Sequence, residues 1–112
     1  MRVAIVLVAI AALAHSASAQ ARQPSGNDML PGCQDYAAGR VTVGSGECTG
    51  YFDSVRRAMG ELPTVGVCVP DGVVQRQMAQ VVVKYLNDHP ERLQMEMDLL
   101  ALAAFRLAWP CR

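Results

Sequence analysis

A chain of 112 residues with ten basic and ten acidic side chains is formally neutral at pH 7, and neutrality removes the electrostatic case for nucleic-acid binding. Its one long apolar run, Val3 to Ala14, is about 12 residues and falls short of the roughly 20 needed to span a bilayer as a helix. Four cysteines in so small a chain argue against a cytosolic enzyme and for a disulfide framework in an oxidising compartment.

The N-terminus has the three parts of an export signal. Arg2 supplies the positive end, Val3 to Ala14 the apolar centre, and His15-Ser16-Ala17-Ser18-Ala19 a small-x-small cleavage site after Ala19. Residues 1–19 are therefore expected to be a signal peptide, with an uncleaved anchor as the alternative that the length of the apolar run disfavours. No cysteine lies near the cleavage point, so lipoprotein processing is not expected. The expected mature chain, Gln20 to Arg112, is periplasmic, makes no membrane contact after cleavage and forms one domain. It buries roughly 60–65% of its unfolded surface, a marginal core that disulfides usually reinforce.

Gln20 to Asp28 is polar, contains Pro24 and Gly26, and reads as a disordered lead-in at residues 20–28. A short first helix is expected over Met29 to Ala38 around Cys33. Gly39 to Gly46 contains three glycines and Ser45 and marks a loop. Glu47 to Met59 places Cys48, Tyr51, Phe52, Val55 and Met59 on one helical face. Gly60 to Pro63 stops that helix, and Thr64 to Pro70 connects onward.

The third helix is expected to start at Asp71 as N-cap, with an apolar stripe of Val74, Met78, Val81, Val82 and Tyr85. Asn87 to Pro90 turns the chain, because Pro90 followed by Glu91 is a helix-start signal. The fourth helix is expected from Pro90 to about Ala108, buried through Leu93, Met97, Leu100, Ala101, Ala104, Leu107 and Ala108. Trp109-Pro110-Cys111 then breaks it. The fold class is all-α, a small disulfide-stapled bundle of about four to five helices.

Topology ranks the disulfide pairings. Helices three and four, each about 25 Å long, run antiparallel across a tight turn, which returns Cys111 towards Cys68. A short loop likewise reverses the chain between Cys33 and Cys48. The favoured pairs are Cys33–Cys48 and Cys68–Cys111, with Cys33–Cys111 plus Cys48–Cys68 as the competitor. In the chain-entropy model the favoured bonds contribute about 3 and about 4 kcal/mol. No Cys-x-x-Cys pair occurs and His89 is the only histidine after the signal, so neither a zinc site nor a thiol redox centre is expected.

Four segments together resemble a known family. Cys48-Thr49-Gly50-Tyr51-Phe52 is similar to the Cys-x-Gly-Tyr-Ile element of the Rap1a/Tai family, and Cys68-Val69-Pro70-Asp71-Gly72-Val73 to its Cys-Ile-Pro-x-Gly-Val step. Gln77 to Leu93 resembles its Val-Val-x-Tyr-Leu-x-x-His-Pro-Glu segment, and Ala108-Trp109-Pro110-Cys111 stands where Ala-Phe-Pro-Cys is usual. The family commonly has glycine near Ser54 and Pro-Ala where Gln94 to Glu96 stand here. The resemblance implies a disulfide-bonded helical periplasmic protein, related in fold to acid-stress chaperones of the HdeA type. It implies an immunity protein of type VI secretion that binds and inhibits a peptidoglycan amidase effector, often as a homodimer.

The residues themselves give no enzyme. A Ser or Cys nucleophile would have only His89 as base, and Glu96 and Asp98, two apart, point to different helix faces. Asp53 is at ion-pair spacing from Arg56 and Arg57. Gly50 is expected to let helix two approach another backbone, Tyr51 to bury its ring, and His89 to cap a helix or turn. No catalytic, cofactor or metal residue is expected. Two non-enzymatic functions remain: a rigid inhibitor that presents the loops Gly39–Gly46 and Gly60–Val67 as candidate plugs, or a periplasmic stress chaperone or general binding protein.

Overall fold

Hydrogen bonding at the helix ends decides where this chain coils. The computed structural model describes residues 22–112, and the expected signal peptide lies outside them. Ser25 Oγ accepts from the Asp28 N–H while the Asp28 carboxylate accepts from the Ser25 N–H, a reciprocal capping box. Helix α1 therefore spans Gly26–Ala37, which corrects the expected lead-in: Ser25 to Asp28 belong to the fold.

A second box sets α2. Thr42 Oγ1 accepts from the Ser45 N–H and Ser45 Oγ from the Thr42 N–H, so α2 runs Val43–Arg57. The expected loop Gly39–Gly46 thus yields its second half to a helix. The close approach expected at Gly50 occurs elsewhere. A Cβ on Gly32 would run into the Gly44 carbonyl, and one on Gly44 would lie 3.0 Å from Gly32 Cα, whereas one on Gly50 would meet nothing within 4 Å. Glycine against glycine is what lets α1 and α2 pack backbone to backbone.

Past Arg57 a 3-10 turn over Met59–Val65 replaces the expected irregular connection, and Gly66 ends it at φ 85°. Helix α3 spans Gln75–Asp88. Asp71 is not its cap. It lies in a turn with Gly72 at φ 87°, and the Gln77 side chain accepts from the Val74 N–H instead. Met78, Ala79, Val82, Tyr85 and Leu86 form the buried face of α3, and Val74 is exposed.

The expected fourth helix divides in two. Pro90–Arg92 makes a 3-10 turn and α4 runs Met97–Ala108. The break has a cause in α1, whose first N–H groups lack partners within their own helix. Gly26 donates to Met95 O and Asn27 to Leu93 O, while Met97 donates back to Pro24 O. Carbonyls that serve another helix's start cannot continue their own.

Phe52, Met78, Val82, Leu86, Met97, Leu100 and Phe105 fill the single core. The structure joins Cys33 to Cys48 across α1 and α2, and Cys68 to Cys111 between the approach to α3 and the exit from α4. Among the described residues there is no strand, only isolated bridges at Ser25–Glu96 and Val67–Pro110. None of the described helices is long and apolar enough to cross a membrane.

Candidate functional site

The α1–α2 connection carries the most exposed apolar groups of the described chain. Val41 is 97% and Val43 85% exposed, and they flank Thr42, whose hydroxyl bonds to Asp35. Two valines held in water cost the fold whatever their burial would have gained, roughly 1.5–3 kcal/mol each.

Asp35 fixes this tip. One carboxylate oxygen accepts from Arg40 Nε at 2.9 Å and the other from the Thr42 hydroxyl at 3.1 Å. The Arg40 N–H also donates to the Asp35 carbonyl at 2.8 Å. Gly39, at φ 76°, supplies the left-handed step that the reversal needs. The Arg40 and Thr42 hydrogen bonds, in that order, hold the Asp35 carboxyl below the usual carboxylate range.

Helix α3 buttresses the same loop from behind. Gln80 Nε2 donates to Ala37 O at 3.3 Å, and the Arg76 guanidinium sits 5.7 Å from the centre of the Tyr36 ring, within cation–π range. Gln75 reaches Thr49 O on α2 at 3.0 Å. Beneath everything lies the Cys33–Cys48 bond, both residues fully buried. A groove of about 310 Å³ opens beside the tip between Tyr36, Val41, Thr49 and Arg76. Gly46 and Gly50 continue the exposed face along α2 with open space above them. Apolar tip, flanking guanidiniums and a bare helix face together make a hydrogen-bonded, disulfide-backed surface suited to contact with another protein.

The second candidate plug is built differently. Val67 in Gly60–Val67 is fully buried, and the Val65 carbonyl accepts from Arg106 Nε at 2.8 Å. Val67 anchors that segment to the core and Arg106 ties it to α4, while Gly60, Glu61 and residues 63–66 stay exposed. The other singled-out groups are structural in their contacts. His89 Nδ1 lies 2.8 Å from the Tyr85 carbonyl, and the ring stacks on Tyr85 at 4.1 Å. The Tyr51 hydroxyl donates to Asp98 at 2.7 Å. Burial first, then that hydrogen bond and the Asp98 charge, raises its pKa. Asp53 pairs with Arg57 at 2.9 Å on the surface. Glu96 stands at the start of α4 and is not brought into a pair with Asp98.

Sequence reasoning placed the tip in a loop but missed Asp35, Tyr36 and Arg76. The Asp35 contact spans two elements, and Arg76 comes from a helix distant in sequence. Among the described residues no cluster of three or more His, Cys, Asp or Glu is placed to hold a metal ion.

A family model described as Rap1a immunity proteins matches residues 25–111, a span that opens on the Ser25 cap and closes on Cys111. No curated protein and no solved structure gives a significant match.

Proposed function

The chain belongs to the Rap1a immunity protein family, and from that premise we propose that it is a periplasmic inhibitor of a peptidoglycan amidase effector delivered by type VI secretion. An immunity protein acts by occupying another protein's surface, so its own working part is a contact surface rather than a reaction centre. The observation that carries the assignment of that surface is the pair of exposed valines on the Asp35-pinned α1–α2 tip. A rigid tip loses little conformational freedom on binding, and that saving appears as affinity. Contacts at the water-excluded centre of an interface carry most of its binding energy.

The direct test titrates the protein into the candidate amidase while peptidoglycan hydrolysis is followed. Activity should fall to zero at a fixed stoichiometric ratio. Undiminished hydrolysis in the presence of excess protein would contradict the proposal.

A further inference from the structure

The two disulfides lie in opposite surroundings. Cys33 and Cys48 are wholly excluded from solvent and packed among Met29, Phe52 and the other core side chains. Cys68 is exposed and Cys111 half-buried. Thiol–disulfide exchange requires an attacking thiolate to reach a sulfur, so access separates bonds that are chemically alike.

The surface bond also closes a clip that has its own hydrogen bonds. The Cys68 N–H donates to Trp109 O at 2.8 Å, the Cys111 N–H donates to Gly66 O at 3.2 Å, and Val67 bridges Pro110. Arg106 reaches Val65 O from α4. None of these contacts involves α1 or α2, and the Val41–Val43 tip lies outside the closed loop.

We propose that Cys68–Cys111 is a redox-addressable clip: a dithiol reductant opens it in the folded protein while Cys33–Cys48 stays oxidised. One thiolate of the reductant attacks Cys68 Sγ, forming a mixed disulfide. The Sγ–Sγ bond breaks, and Cys111 leaves as a thiolate and takes up a proton. The reductant's second thiolate then attacks its own sulfur in the mixed disulfide, closing an intramolecular disulfide and releasing Cys68, which is protonated in turn. Two electrons and two protons pass to the protein, and the dithiol ends as a disulfide. Opening frees residues 66–70 and 109–111 from each other and leaves the α1–α2 hairpin locked.

The test exposes the oxidised protein to graded dithiothreitol without denaturant, quenches with iodoacetamide and maps the peptides. Cys68 and Cys111 should become alkylated together at reductant concentrations or times at least about tenfold below those that open Cys33–Cys48, an expectation set by burial of the latter. Hydrogen exchange on the singly reduced species should show protection lost at the Cys68 and Cys111 amides and kept in α1 and α2. Simultaneous reduction of all four cysteines, or earlier alkylation of Cys33 and Cys48, would overturn the proposal. So would loss of α1–α2 protection on opening the clip.

Discussion

Two disulfide-closed regions divide the molecule between them. In the α1–α2 hairpin the sulfurs are buried, glycine packs on glycine, and the apolar side chains at the tip face outward. In the clip between Cys68 and Cys111 the bond is at the surface, and the apolar side chains Val67 and Trp109 face inward against the core. The hairpin spends its stapling on holding an exposed shape, whereas the clip uses its staple to tie one helix's exit to another's approach. A disulfide thus says nothing about function until the side chains around it are known.

The sharpest way to break the contrast is at the helix crossing. Gly32→Val should destabilise the protein by more than about 3 kcal/mol, because its Cβ meets the Gly44 backbone, which cannot move aside as a side chain can. Urea unfolding would check this; a loss below about 1 kcal/mol would mean that the crossing is not tight.

Asp35→Asn tests the tip without touching the core. It removes the charge that holds Arg40, and the effector's dissociation should speed by about tenfold as the loop loses preorganisation, read by surface plasmon resonance. Acid should do the same. The folded-state pKa of Asp35 is depressed, so its contribution is complete above the unfolded carboxylate value of about 3.9 and is lost as pH falls through the lower folded value. The protection factors of the Arg40 and Thr42 amides should fall across that interval in the wild type and be flat in the variant.

Smaller effects lie on α2. Tyr51→Phe deletes the hydroxyl that donates to Asp98 and should cost about 0.5–1.5 kcal/mol. Gly50→Ala should stabilise by about 0.5–1 kcal/mol, since the site is helical and open. Denaturant midpoints resolve both. A gain at Gly50 beside a collapse at Gly32 would separate an exposed glycine from one that the packing requires.

Local chemistry made much of this legible in advance. The all-α class followed from apolar spacing, and Met78, Val82 and Tyr85 lie buried in one stripe of α3. What escaped was set by partners remote in sequence. Residues 93–96 have helix-compatible side chains, yet the Leu93 and Met95 carbonyls turn to the first amides of α1, and no window around Leu93 contains that information. Asp71 has the right residue type for a cap, but Gly72 in a left-handed step delays the helix. At the tip, Thr42 and Ser45 stand at the spacing of a capping box. Ser45 in place of the usual Glu or Gln, within a glycine-rich stretch, concealed where α2 begins.

The assignment of the contact surface turns on Val41 and Val43. The decisive measurement is calorimetric titration of the amidase effector with the wild type and with a Val41→Asp/Val43→Asp double variant whose helical circular dichroism is unchanged. Charge on a desolvated anchor should weaken binding by at least about 100-fold, or roughly 3 kcal/mol. Equal affinities for the two proteins would place the contact surface elsewhere on the molecule.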